Sequence, residues 1–322
     1  MNQNNTEISG LDSQYSTTRC VTRTPPVIVN NPEDKFESLL FLPENSERKA
    51  EGGLRTQGYF KHTQTDKPLI SVITVVFNGA EYLEQTINSV IGQTYDNVEY
   101  IIIDGGSTDG TLDIIKKHEG QIDYWVSERD KGISDAFNKG ISLCSGEIVG
   151  IINADDWYEK MAFSSIEKYI GKADVLYGDM NLLDDVGKKI TPKVDHNNLK
   201  KNMTICHPSC FVKSRVYKKR FIYETGFNYA MDYELLLKLY LGGGKFFYIG
   251  KVISNMRSLG VSDNMWINAL KEVRKAKKVN GVSFVNYQVY FYFYFLKQSV
   301  RRFFQSIGLG WVVNVYRQLI VS

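Results

Sequence analysis

Four acidic stretches and one histidine occupy positions where a folded chain could use them for chemistry. Asn153-Ala154-Asp155-Asp156-Trp157 places two carboxylates directly after an apolar run, Glu147 to Asn153. A hard cation such as Mg2+ or Mn2+ is commonly held by one or two carboxylates together with phosphate oxygens and water, and this pair suits that use. The other use of the same pair is to cap the helix expected near Glu159, since Asp is a favoured cap. Asp104 closes the run Val98 to Asp104 and is followed by Gly105, Gly106 and Gly110. A carboxylate there can accept from a nucleobase N–H or a ribose hydroxyl, on a backbone free to turn tightly; it also fits an ordinary turn with Ser107 or Asp109 as cap. Asp130, within SERDKGISDAFNKG (Ser127 to Gly140), falls at the same edge or in a solvated charge cluster. Asp232 begins a helical pattern in AMDYELLLKL, where the helix dipole favours the anion. It could serve as a general base toward a hydroxyl or merely complement the dipole. Cys206, His207 and Cys210 form C-H-x-x-C, which lacks the second half of a four-ligand zinc set. Packing is the better reading for the cysteines, with His207 left as a hydrogen-bonding group that could line the cleft.

These residues need a scaffold that brings them together, and the hydrophobic pattern supplies one. LISVITVVF, from Leu69, is the continuous β-branched run of a buried parallel strand. A helical pattern over Tyr82 to Ile91 follows, then a strand Val98 to Asp104, a helix Thr111 to Lys117, a strand Tyr124 to Ser127, a helix Ser134 to Ser142 and a strand Glu147 to Asn153. A helix over Glu159 to Ile170, a strand-like VLYGDMNLL with a hairpin through Asp184 to Lys189, and a helix Ala230 to Leu241 complete the pattern. Alternation of this kind predicts an α/β fold with right-handed crossovers, a mostly parallel sheet covered on both faces, and ligands beyond the carboxyl ends of the strands. Asp104, Asp155 and Asp156 all fall there. Neither G-x-G-x-x-G nor G-x-x-x-x-G-K-[ST] is present, which argues against a dinucleotide or P-loop site.

The chain has 322 residues, with 39 Lys plus Arg against 36 Asp plus Glu and 43% hydrophobic residues. That composition is ordinary for a globular protein and excludes wholesale disorder, a collagen-like fibre and a multi-span membrane protein. Four cysteines, widely spread, do not make a disulfide framework, so a reducing compartment is expected. The first thirty residues are polar and show no secretory leader. Residues 1–67 are polar and aperiodic and read as an extension, in part disordered. From Val273 to Ser322 there are eight basic residues and no acidic one, which leaves −5 for the rest of a chain of net charge +3. That distribution disfavours nucleic acid as a partner. The tail also carries YFYFYFL (Tyr290 to Leu296), Phe303, Phe304 and Trp311 beside Arg301 and Arg302. The run is shorter than the ~20 residues that span a bilayer, so the mixture reads as a surface segment for an anionic membrane, or else as a docked helical pair.

Together these motifs resemble the family 2 glycosyltransferases, inverting nucleotide-sugar-dependent enzymes with the GT-A (Rossmann-like) fold. The matching stretches are FNG (Phe77 to Gly79), IIIDGGSTDGT (Ile101 to Thr111), SERDKGISDAFNKG, INADDW (Ile152 to Trp157) and MDYEL (Met231 to Leu235), within about Pro68 to Asp263. DKGISDAFNKG followed by a Gly-Glu strand and the Asp-Asp loop is similar to members that build bacterial O-antigen, capsule and exopolysaccharide. The resemblance implies that Phe77, Asn78 and Asp104 contact the nucleotide, with Phe77 and Asp104 lining the base pocket, and that Asp130 helps hold it. It implies further that Asn153 and Asp155 occupy the ends of the family's D-x-D, with Asp155 on Mg2+ or Mn2+ and Asp156 at the donor sugar, and that Asp232 is the base. Arg257 is placed as a cationic contact to the diphosphate. Two departures stand out: Gly105 replaces an Asp common in the family, and Asn153 replaces the first Asp of D-x-D. The absence of Q-x-x-R-W after Asp232 argues against processive synthesis. The resulting expectation is a domain over 68–263 between the extension and a helical, membrane-associating segment 264–322. It would act at the cytoplasmic face of the inner membrane on a UDP-sugar and a saccharide or lipid-linked acceptor. A nucleotidyltransferase and a catalytically degenerate binding scaffold are the competing readings.

Overall fold

The structure is a computed structural model and describes residues 10–183, 187–257 and 265–307. Parts of the sequence reading fall outside it: residues 1–9, the turn at 184–186, residues 258–264 and the tail beyond Ile307, including Trp311 and Arg317.

Ten strands form one mixed sheet. In chain order they are β1 (Ala50–Gly52), β2 (Ile70–Val76), β3 (Val98–Asp104), β4 (Tyr124–Ser127), β5 (Ile148–Asn153), β6 (Trp157–Tyr158), β7 (Val175–Leu183), β8 (Lys189–Ile190), β9 (Cys210–Lys213) and β10 (Phe246–Arg257). The spatial order is β1-β4-β3-β2-β5-β9-β7-β10-β6, with β8 added to β7. β4, β3, β2 and β5 are mutually parallel, β7 and β10 are parallel, and β1, β6, β8 and β9 run antiparallel to their neighbours. Every residue of β2 and β3 is buried, which is why both read as continuous apolar runs rather than alternating ones.

Side chains leave β2 alternately for two cores. Ile73 and Val75 join Phe137 and Ile141 of α3 (Ile133–Leu143) and the leucines of α6 (Met231–Leu241). Ile70, Val72 and Val76 join Leu83 and Ile87 of α1 (Leu83–Ile91) and Phe163 and Ile166 of α4 (Ala162–Glu167). The remaining helices are α2 (Thr111–Lys117), α5 (Ser214–Lys219), α7 (Trp266–Val279) and α8 (Phe284–Ser306).

Two differences from the sequence reading have physical causes. The helix expected over Glu159 to Ile170 begins only at Ala162, because Trp157 and Tyr158 pair with Asn255 and Ser254 of β10. That long-range pairing leaves no local signal, and it also means that neither Asp155 nor Asp156 caps α4. The second difference is larger. Residues 10–67 are packed on the domain rather than loose: β1 extends the sheet edge, and two cations from this segment are buried in the body. Arg55 donates to Glu99 of β3 at 2.6 Å and to the Leu143 carbonyl at 2.9 Å. Lys61 donates to the Val98 carbonyl at 2.6 Å and pairs with Asp123 at 3.3 Å. A segment docked by a few specific polar contacts shows no hydrophobic period, so composition alone resembles disorder.

Candidate active site

Parallel pairing brings the loops after β2, β3, β4 and β5 to one edge, since Val76 is level with Asp104, Asp104 with Ser127, and Val75 with Asn153. The candidate residues therefore converge because of register, not sequence proximity. Phe77, Asp104, Asp130 and Asn153 to Asp156 all stand on this edge.

The loops after β2 and β3 are laced together. Asn78, whose φ of 51° is left-handed, donates its amide to Ser107 Oγ at 2.7 Å and accepts from the Thr108 amide at 2.8 Å. Gly79 donates to Thr111 Oγ1 at 2.9 Å and Ala80 to Asp109 at 3.1 Å. Asp109 also accepts from the Thr111 amide at 3.0 Å at the start of α2. Asp104 is completely buried. Its carboxylate accepts from the Ser107 amide at 3.1 Å and from the hydroxyls of Ser107 and Ser127. The Asp104 carboxylate is thus engaged by Ser107 and Ser127, while Asn78 is tied to Ser107 and Thr108 through its amide and side-chain oxygen and remains exposed. Phe77, directly after β2, stands on this edge with 66% of its surface exposed. Gly105 explains itself here: a Cβ at that position would lie 2.6 Å from Asp130 Oδ2 and 3.4 Å from the Phe77 ring. An Asp at 105 would collide with Asp130, which is half-buried and accepts the Gly132 amide at 2.8 Å.

The loop after β5 holds the most unusual polar groups. Thr86 of α1 donates to the carbonyls of Ala154 at 2.8 Å and Asp156 at 2.6 Å, fixing the turn. Among the described residues, Asn153 Oδ1, both oxygens of the 1% exposed Asp156, and Arg257 Nε are buried without a well-formed hydrogen bond, although the Asn153 side chain and the Arg257 backbone lie close enough to Asp156 to draw its pKa down. Burial, and then the neighbouring Asp155, push the Asp156 carboxyl well above the usual carboxylate range. Arg257 stacks over Tyr82 at 4.2 Å and Trp157 at 4.8 Å and reaches Gln85. Buried polar groups are almost always paired, so four such atoms gathered at one loop make it the candidate ligand site. Among the described residues no three His, Cys, Asp or Glu side chains converge. Asp155 nevertheless offers a carboxylate of the hard, oxygen-donor kind that Mg2+ or Mn2+ takes together with phosphate oxygens and water.

Asp232 lies in the first turn of α6, half-buried, with Oδ1 accepting the Tyr233 amide at 2.7 Å. Burial raises its pKa, opposed by His207. His207 is 9% exposed, 2.6 Å from the Tyr223 hydroxyl, and packed against the Phe137 ring. Burial lowers its pKa, opposed by Asp232. Asp232 and His207 therefore feel each other's charge. One supporting residue escaped the sequence reading. Glu272 of α7 accepts the amides of Asn228, Tyr229 and Ala230 at 3.0, 2.7 and 3.0 Å, anchoring the entry to α6. Nothing in a basic, amphipathic helix signals such a contact.

Comparison with known proteins gives this sheet and its acidic edge a family. The profile of Glycosyl transferase family 2 matches residues 71–239, just over half of the chain. The chain belongs to that family, has the GT-A fold and is a glycosyltransferase. Chondroitin synthase of Escherichia coli is 29% identical over 199 residues, 58% of this chain but only 29% of that protein's length. An uncharacterized glycosyltransferase of Mycobacterium tuberculosis is 32% identical over 183 residues, covering 54% of this chain and 70% of that one. Among solved structures, S. aureus TarS in complex with UDP-GlcNAc superposes with a TM-score of 0.53 at 16% identity, covering 74% and 73% of the two chains. A mannosyltransferase of Pyrobaculum calidifontis in complex with GDP-Man and Mn2+ gives 0.53 at 17% identity, covering 66% and 64%.

Proposed function

We propose that this protein transfers one sugar from a nucleoside-diphosphate sugar, UDP-linked by preference, to a saccharide hydroxyl with inversion, in the assembly of a bacterial surface polysaccharide. The observation that carries the reading is the set of buried atoms lacking a well-formed hydrogen bond at Asn153, Asp156 and Arg257, in a family whose members use sugar nucleotides. Phe77 walls the base pocket, and Asp130 holds the nucleotide. Arg257, braced by two aromatic rings, meets the diphosphate. Asn153 and Asp156 hold the donor sugar. A divalent cation on Asp155 would neutralise charge on the departing diphosphate. Asp232 takes the proton of the acceptor hydroxyl as its oxygen bonds to the anomeric carbon and the bond to the diphosphate breaks on the opposite face. The raised pKa of Asp232 makes it a stronger base than an exposed carboxylate.

A nucleotide panel tests this reading. UDP, GDP, dTDP and CMP are each added with and without Mn2+ or Mg2+, and thermal midpoints are read, because a ligand of the folded state raises them. One nucleotide is expected to stabilise the wild type in a cation-dependent manner, and Asp155→Ala to lose that response. No response to any of them would favour the degenerate scaffold.

The apolar face of α8 supports the reading that the acceptor is carried on a lipid. Val285, Val289, Tyr292, Phe293, Leu296 and Phe303 are each at least 60% exposed, on a segment whose charges are all positive. No helix among the described residues is long and apolar enough to cross a membrane, so interfacial docking at the inner face of the cytoplasmic membrane is the reading. Phe293→Ser/Leu296→Ser/Phe303→Ser is expected to abolish flotation with vesicles containing anionic lipid. Equal flotation of wild type and variant would remove the membrane from the account.

A further inference from the structure

The family match begins at residue 71, yet a side chain well before it reaches the loop after β3. Lys49 donates its ammonium to two successive carbonyls, those of Gly106 at 2.8 Å and Ser107 at 3.0 Å. The contact is not the chance fall of a long side chain. The Lys49 amide donates to the Ser127 carbonyl at 2.8 Å, immediately before β1 pairs Ala50 with Ser127. Arg48 is locked on the other side by Glu51 and Glu128, both at 3.0 Å, and by the Pro43 carbonyl at 2.6 Å. The strand therefore delivers Lys49 to one point of the site.

That point controls the pocket's shape. Gly106 has a left-handed φ of 82°, and two carbonyls in a row face one ammonium. The Lys49 ammonium is the partner of both carbonyls, in addition to the bonds that Ser107 and Thr108 make to Asp104 and Asn78. The Ser107 residue so fixed is the one that binds Asp104, and its hydroxyl also receives the Asn78 amide. The chain of contacts runs from Lys49 through the 106–107 turn to Asp104 and Asn78, and so to Phe77.

Resting on the donor-site reading of this edge, we propose that Lys49 is a positioning residue of the nucleotide site, holding the 105–107 turn in the conformation that receives the base. The N-terminal segment thereby becomes part of the donor site.

Lys49→Met keeps the aliphatic stem and removes the charge, while Lys49→Arg restores it. Amide exchange of the unliganded full-length protein is expected to quicken about tenfold at Asn78, Ser107 and Thr108 in Lys49→Met, with core strands unchanged. The Kd for UDP, or for whichever panel nucleotide stabilises the wild type, should rise about tenfold, with kcat within about twofold and partial recovery in Lys49→Arg. Unchanged exchange in Lys49→Met overturns the proposal, as does loosened exchange with undiminished nucleotide affinity. A wild type that binds no nucleotide refutes the donor-site reading instead, and exchange alone then decides whether Lys49 holds the turn.

Discussion

Asp232→Asn is expected to lower turnover by about 10²–10⁴-fold, the range for removing a general base, while leaving nucleotide affinity intact. The substitution preserves shape, and Asn Oδ1 can still accept the Tyr233 amide that Asp232 holds at 2.7 Å. What it removes is a group able to take a proton. Because burial raises the pKa of Asp232, the acidic limb of kcat/KM in the wild type should lie above the usual carboxylate range, and that limb should vanish in the variant. Steady-state release of nucleotide across pH checks both. Full turnover in Asp232→Asn would remove it from the base position.

Arg55→Ala is expected to cost about 3–5 kcal/mol of stability, the range for breaking one partner of a buried ion pair. Both side chains of the Arg55–Glu99 pair are 2% exposed, so Glu99 cannot recover hydration once the guanidinium is gone. Burial opposes ionisation of Glu99, but Arg55, Ser145 and Ser71 outweigh it and hold the carboxyl below its usual value. A lowered folded-state pKa contributes stability that is present above the unfolded value and lost as the pH falls through the folded one. The variant should therefore show both a lower denaturation midpoint at neutral pH and a weaker dependence on acid. Replacing both partners with Met should recover much of the loss, because an apolar pair leaves no uncompensated charge. A loss of only a few tenths of a kcal/mol in Arg55→Ala would mean that the N-terminal segment is not anchored through this pair.

The parts of the fold that the sequence disclosed are those governed by local rules. The strands from Ile70 to Asn153 and the helices between them follow from continuous β-branched runs and amphipathic spacing. What stayed hidden depends on distant partners. The pairing of Trp157 with Asn255 shortened α4. The docking of residues 10–67 uses Arg55, Lys61 and Lys49 together with a few scattered apolar side chains such as Leu39 and Leu54, in a polar stretch with no period to betray them. In the site, order along the chain was enough to gather Asp104, Asp155 and Asp156, since parallel strands deliver their following loops to one edge. It could not show that the Asp104 carboxylate is engaged by Ser107 and Ser127, or that Asn78 is tied to Ser107 and Thr108. Those are contacts between loops, set by the closeness of β2, β3 and β4. Glu272 was equally invisible, because its three amide partners lie 42 to 44 residues upstream.

The central claim is that one edge of the sheet binds a sugar nucleotide through Asp155 and a cation, while Asp232 acts on the acceptor. Its most direct test is calorimetric titration of the stabilising nucleotide, with Mn2+, into wild type, Asp155→Ala and Asp232→Asn in parallel. Cation-dependent binding should be lost or weakened by Asp155→Ala and retained in full by Asp232→Asn. Undiminished binding to Asp155→Ala, or loss of binding to Asp232→Asn, would contradict that division of labour.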